Sequence, residues 1–262
     1  MNRLIITFTF LCSFVKIINA QDCNMTAMSY HSGEKLVYNI GYYLWPLWVS
    51  AGEVSFEVKD SIMDSVDYYH FFAEGHTFKA YDLIFKVRDK YESLVNKETM
   101  KPAWFKRDVL EGSTKIDNEV TFDFDSLTAQ TFNGKFSSSA CAFDVVSAIY
   151  YCRDLNWESF SEQDTIPLDL FLDDSLHHVY VRYLGREVIK TKAGKFNTIK
   201  FAPLLIEGTL FSAGEGMTVW VTDDENKIPI LVESPIIVGS VRAEIVGLEG
   251  TKNDLSSKIL RK

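Results

Sequence analysis

The sequence predicts a mainly β protein: a large curved antiparallel sheet or half-open barrel around one central α-helix at about residues 143–153. Three observations carry this expectation. Apolar residues recur at every second position over most of the chain, helical spacing occurs in a single stretch, and 262 residues with 47% hydrophobic and 24% charged composition suit a sizeable packed core. The formal net charge is −9, so a phosphate backbone would meet net repulsion and no nucleic-acid partner is expected.

The first element reads as a leader. Met1-Asn2-Arg3 precede an uncharged run from Leu4 to Val15, and Lys16-Ile17-Ile18-Asn19-Ala20 end on a small residue, the pattern of a cleavable signal peptide. The apolar run is too short for a spanning helix, which needs ~20 residues. Residues 1–20 are therefore expected to be removed, and the mature chain to reside in the periplasm or outside the cell. A lipid anchor on Cys23 is not expected, because Gln21-Asp22 stand where small apolar residues would be required.

Cleavage leaves Cys23, Cys141 and Cys152 in a compartment that permits one bridge. With residues 143–153 helical, Cys141 and Cys152 would lie ~16 Å apart, beyond the ~7 Å limit for bridged Cα atoms. Cys23 is then one partner, and Cys23 with Cys141 is the favoured pair because both lie outside the helix body. Three buried free thiols are the alternative.

The mature chain from 21 to 250 reads as a single β-rich domain in two halves, about 34–136 and 161–250. In the first half, Leu36, Tyr38, Ile40 and Tyr42 mark a strand, Glu53 to Lys59 alternates strictly, and Tyr68–Phe78, Lys86–Val95 and Val120–Asp125 continue the pattern. Small residues Ser137-Ser138-Ser139-Ala140 lead into the helix. There Val145, Val146, Ile149 and Tyr150 share one side, and Asp144 and Arg153 suit the two ends of the dipole. Strand character returns at Thr165–Leu172, His178–Leu184, Glu187–Thr191, Phe196–Leu205, Met217–Thr222, Ile228–Glu233 and Ile237–Leu248. Residues 251–262 read as a frayed basic tail.

One correspondence links the halves. Asn96 and Pro102 are six apart, as are Asp223 and Pro229, and each proline opens the next strand, where its missing N–H is tolerated. Either the two hairpins descend from a duplication or one turn design is used twice.

Few motifs carry chemistry. His177-His178 point to opposite faces of a strand and cannot share a metal ion, and His31, His70 and His76 are scattered, so no metal and no cofactor are expected. No nucleophile elbow, phosphate-binding loop or zinc-protease motif occurs, and no catalytic residue is assigned. Paired acids such as Asp123/Asp125, Asp173-Asp174 and Asp223-Asp224 read as solvated faces and turns. Trp104, Arg107 and Glu111 follow a strand start in aromatic surroundings: an ion pair in a sheet cavity could orient a polar head group, and the plainer reading is a cross-strand surface pair. Trp45 and Trp48 flank a hairpin, as the rim of an apolar hollow or as core filling.

Gly33-Glu34-Lys35-Leu36-Val37-Tyr38, the Ala51-Gly52 step, Pro102 through Arg107 to Glu111-Gly112, the helix from Phe143 to Arg153, and Val219-Trp220-Val221-Thr222-Asp223 with Pro229 and Gly239 together carry a resemblance. They resemble a family of uncharacterised bacterial exported proteins, the domain of unknown function numbered three thousand one hundred and eight, from about Cys23 to Gly250. The strand, acidic turn, proline, strand hairpin is also similar to that of periplasmic carriers of outer-membrane lipoproteins. That second likeness implies a half-barrel with a helix over an apolar hollow. The expected function is non-catalytic: a monomeric envelope protein that binds an amphiphilic or lipid-like ligand, or a lipidated protein, in its concave face through Trp45, Trp48, Trp104, Arg107 and Glu111. A scaffold acting through protein contacts and a carboxylate-based glycan hydrolase are the alternatives.

Overall fold

The computed structural model describes residues 29–44, 47–206, 214–235 and 240–260. The leader, Cys23 and Trp45 lie outside the described residues. The first half of the chain forms β1 (Lys35–Leu44), β2 (Leu47–Met63), β3 (Val66–Thr77), β4 (Val87–Asn96), β5 (Pro102–Glu111) and β6 (Thr114–Asp123), then the short strands β7 (Thr128–Thr131), β8 (Gly134–Ser137) and β9 (Ala142–Phe143). After helix α1 (Val145–Asp154) come β10 (Thr165–Leu172), β11 (Ser175–Thr191), β12 (Gly194–Pro203), β13 (Thr218–Thr222), β14 (Pro229–Pro235) and β15 (Ser240–Glu249).

All fifteen strands belong to one sheet, ordered β8 to β1 and then β15 back to β9. Every pairing is antiparallel except the two-residue contact of β9 with β10. Six of the strands before the helix, β1–β6, are thus mirrored by the six after it, β10–β15, and the second strand of each set, β2 or β11, is 17 residues long. The two sets join through the β1–β15 ladder, which runs from Lys35↔Glu249 to Tyr43↔Ser240 with one register shift between Val37 and Tyr38. At the other junction β6 and β10 do not pair, and β8 and β9 are left as the free ends of the sheet. The result is a curved sheet that is not closed, a half-barrel.

Local chemistry explains the hairpins. Asp64 and Ser65, and again Asp173 and Asp174, take left-handed backbone angles in two-residue turns whose twist matches the strands they join. In the β4–β5 turn the Asn96 side chain accepts from the Glu98 and Thr99 amides at 2.9 and 2.8 Å, and Met100 turns left-handed two residues before Pro102. Lys227 does the same two residues before Pro229. The acidic role there falls to Asp224, which accepts from the Asn226 amide at 3.0 Å, while Asp223 pairs with Arg186 at 2.9 Å. Each hairpin also has a bulge beside its proline, after Leu94↔Trp104 and after Trp220↔Leu231.

Two strands expected at His178–Leu184 and Glu187–Thr191 are one continuous strand, β11, bent by a register shift between Tyr183 and Arg186. Gly185 supplies the left-handed angle that the bend needs. The Ala51-Gly52 step is a similar irregularity, between β1 and β2. A Cβ on Gly52 would run into the His76 carbonyl oxygen of β3.

The helix fills the concave face of the first half. Asp144 caps it, accepting from the Val146 and Ser147 amides at 2.8 and 2.9 Å and from Ser93 Oγ of β4 at 2.6 Å. Tyr150 stacks on Phe71 at 3.9 Å between ring centres, and Tyr30 meets both edge-on. Phe105, Phe122 and Phe171 complete that core. The buried side is Val146, Ser147, Tyr150 and Tyr151, whereas Ile149, expected on it, is exposed. A second core gathers Trp157, Ile166, Tyr183, Ile199 and Phe201, and a third Leu36, Tyr38, Phe196, Trp220 and Ile245.

Below the β1–β15 junction the helix end is locked. Arg153 makes a bidentate pair with Glu34 at 2.5 and 2.8 Å, both side chains fully buried, and donates to the carbonyls of Ser29 and Asn226. Its guanidinium lies against the rings of Tyr30 and Tyr150. Residues 251–260 are fastened here rather than frayed: Asn226 Nδ2 donates to the Asn253 carbonyl at 2.9 Å, Ser257 Oγ donates to Asp224 at 2.7 Å, and the Ile259 amide reaches the Lys195 carbonyl.

Candidate functional site

The inner face of β4 and β5 carries an unusual polar cluster. Burial on β5 alternates so that Phe105, Arg107, Val109 and Glu111 face inward, and the register places Tyr91 opposite Arg107 and Asp89 opposite Val109. Asp89, Tyr91, Arg107 and Glu111 therefore share one patch of an otherwise apolar wall. Asp173, in the β10–β11 turn of the second half, closes over it and pairs with Arg107. The neighbouring Asp174 is held by Asn133 Nδ2 at 2.6 Å.

The electrostatics follow from this enclosure. Asp89 and Glu111 are joined by a carboxyl–carboxyl hydrogen bond, which requires a shared proton. Burial, and then the Asp89 charge, pushes Glu111 up to about 7 against the lowering effect of Arg107. Burial, reinforced by the Asp108 charge, pushes Asp89 up to about 6 in spite of its hydrogen bonds to the Leu110 amide and Glu111. Tyr91 is raised to about 12, chiefly by burial and then by those two carboxyls. Arg107 is buried, and its Nε has no hydrogen-bond partner among the described residues. A buried donor without a partner costs ~1–3 kcal/mol.

Of the residues expected to form a ligand site, Arg107 and Glu111 come together. Trp104 does not join them: it faces outward and donates to Glu119 at 2.7 Å. Three residues separate it from Arg107, and an odd spacing on a strand means opposite faces. Trp48 sits at the β1–β2 hairpin, with Lys192 over its ring. Asp89, Tyr91 and Asp173 are the members that reading by segment overlooks. The Asn96–Pro102 turn fixes the register that sets Tyr91 against Arg107, so the first two had a signal. Asp173 had none, since it arrives from 66 residues away along the chain.

Other candidates are elsewhere. His178 pairs with Asp169 at 2.6 Å and His177 with the Leu172 carbonyl at 3.2 Å. Among the described residues no three His, Cys, Asp or Glu side chains gather as a metal site would require, and no helix is long and apolar enough to cross a membrane. Cys152 is a free thiol pushed up to about 12 by burial. Cys141 is buried, and its expected partner Cys23 is outside the described residues. A depression of about 460 Å³ lies on the outer wall of the same strands, lined by Glu74, Arg88, Lys90, Asp108 and Lys115 among others, too charged for an acyl chain.

Comparison with known proteins gives a fold and a family. The chain is similar to the beta-barrel-like protein of domain of unknown function DUF1849 from Brucella abortus, with 8% identity and a TM-score of 0.55 over 84% of this chain and 98% of that one. It is also similar to the hypothetical protein CT021 from Chlamydia trachomatis, with 8% identity and a TM-score of 0.38 over 90% and 98%. At these identities the first likeness speaks for the fold alone. No curated protein matches. The model of a protein family of unknown function, DUF3108, matches residues 37–246, nearly the whole sheet, and the chain belongs to that family.

Proposed function

We propose that this is a non-catalytic exported protein of the cell envelope that binds the polar head of an amphiphilic molecule, or of a lipidated partner, at the Asp89–Tyr91–Arg107–Glu111 cluster. The observation that carries the reading is the buried guanidinium of Arg107, with one donor free beside two carboxyls that share a proton. Such a cluster offers a ligand both hydrogen-bond donors and acceptors in a low-dielectric wall, where each bond counts for more than in water. Asp173 is the cover: its side chain is largely exposed, and displacing it would open the guanidinium to a ligand anion.

The concave face is packed by Phe71, Phe105, Phe122, Phe171 and Tyr150 rather than hollow, so the apolar part of the ligand is expected to stay outside the core. The hydrolase alternative gains little from the same residues. Glycosidase carboxyls stand ~5–9.5 Å apart to admit a sugar or water, whereas Asp89 and Glu111 are in hydrogen-bond contact.

Native mass spectrometry of the mature chain, residues 21–262, with organic extraction of what travels with it, tests this reading. A stoichiometric amphiphile that is lost in Arg107→Met supports it. A bare chain, or equal retention by the variant, defeats it, and a stable protein complex would favour the scaffold alternative. The same spectrum reads the proposed Cys23–Cys141 bridge as a two-dalton deficit.

A further inference from the structure

We propose that the end of the half-barrel bearing the β1–β2, β3–β4, β5–β6, β7–β8 and β10–β11 turns docks on an anionic lipid bilayer. This goes beyond the head-group site, since its apolar tips and lysines lie outside that cluster, although the β10–β11 turn that covers the cluster is at the same end.

Antiparallel alternation along the whole sheet puts these turns at one end. Three of them carry large apolar side chains in water: Leu83 and Ile84 in the β3–β4 connection are 96% and 80% exposed, Phe132 in the β7–β8 turn is fully exposed, and Leu47 beside the β1–β2 turn is 59% exposed. They stand on separate turns, so they form isolated tips rather than a groove for a helix or strand. Isolated tips suit a medium that closes around each of them, as the interfacial layer of a bilayer does.

The charges complement such a surface. Lys79 and Lys86 flank Leu83-Ile84, Lys135 follows Phe132, and Lys115 follows the β5–β6 turn; all four are exposed and none is in an ion pair among the described residues. The acids of these turns are engaged: Asp82 by Arg88 and Thr77 at 2.7 Å each, Asp173 by Arg107 and Asp174 by Asn133. On a chain of net charge −9, four lysines around apolar tips, with Asp82 and Asp173 paired to arginines and Asp174 held by a neutral amide, are a local reversal that favours anionic head groups. The β3–β4 connection is also prepared for a dry environment, because the amides of Ile84 and Phe85 are both bonded to the Tyr81 carbonyl.

Flotation of the mature chain with vesicles of phosphatidylcholine, with and without about 30% phosphatidylglycerol, tests the proposal. Binding is expected to the anionic vesicles, to weaken with salt, and to fall at least about tenfold in L83D/I84D and in K79E/K86E. I62D, at the opposite end and 73% exposed, is the control and is expected to bind as the parent does. L83S/I84S replaces the aspartate variant if that one fails to fold, as judged by thermal melting. Absence of binding to anionic vesicles, undiminished binding by the tip variants, or an equal loss in I62D would overturn the proposal. Extraction of a ligand from the soluble protein is unaffected by any of these outcomes, so the two readings fail separately.

Discussion

The two junctions between the six-strand halves solve the same problem with different chemistry. At β1–β15 the halves are joined by a backbone ladder nine residues long, interrupted by one bulge between Val37 and Tyr38. At β6 and β10 there is no ladder: β7, β8, β9 and the helix intervene, and side chains make the crossing. Phe122 of β6 meets Phe171 of β10 edge-on at 5.9 Å, Arg107 pairs with Asp173, and Asn133 with Asp174. A ladder is insensitive to which side chains it carries, whereas a seam held by side chains depends on each of them. The candidate site lies at the second kind of junction, where local opening is least costly and a cover such as Asp173 can move.

The largest expected effect lies beneath the closed junction. Arg153→Met leaves Glu34 charged and buried, and should cost about 3–5 kcal/mol in urea unfolding. Replacing both, as E34L/R153M, should recover most of that loss. If the double variant is as unstable as the single one, the pair is held for its bonds to Ser29 and Asn226 rather than for its charge balance. At the seam, Phe171→Ala should cost about 3 kcal/mol, because the ring is fully buried against Phe122. The two variants should differ in kind as well. Hydrogen exchange in F171A should speed up in β9 and β10 and leave the β1–β15 amides protected; uniform acceleration would mean that the two junctions open together.

How much of this was legible in the sequence depends on the range of the contact. Period-two alternation marked the strands, and the Asn96/Pro102 and Asp223/Pro229 spacings marked two hairpins of related design, because those are local. Strand parity could also have separated Trp104 from Arg107. The seam was not legible: its contacts join residues such as Phe122 and Phe171 whose neighbours in sequence say nothing about each other. Asp173-Asp174 read as an ordinary acidic turn, which it is; only the curvature of the sheet brings it over Arg107. The tail was misjudged for the same reason, since Asn226 and Asp224 hold residues 253–257 from a distant turn.

A smaller change should test the cover itself. Asp173→Asn keeps the shape and removes the charge facing Arg107, which is buried while Asp173 is largely exposed. About 1–2 kcal/mol of stability should be lost, with faster exchange confined to the seam. A loss below about 0.5 kcal/mol would place the pair with ordinary surface ion pairs and remove Asp173 from the site.

The last test is a difference in slope with pH, and it addresses the shared proton at the seam. Asp89 and Glu111 are held in the folded chain at about 6 and about 7, above the ordinary values of 3.8 and 4.5. The folded state therefore binds their protons more tightly than the unfolded state. The stabilisation is fully present below about pH 4 and is lost as the pH rises through about 6 to 7. Asp154, raised to about 6 by its own burial, acts in the same direction, so the parent curve alone does not isolate the pair. D89N/E111Q removes the pair and leaves Asp154 in place. Between about pH 5 and about pH 8 the midpoint of thermal unfolding should fall further in the parent than in this variant. Parallel curves would mean that Arg107 already neutralises the charge that develops, and the pair would then be a fixed anion partner for the guanidinium instead of a proton-sharing element of the seam.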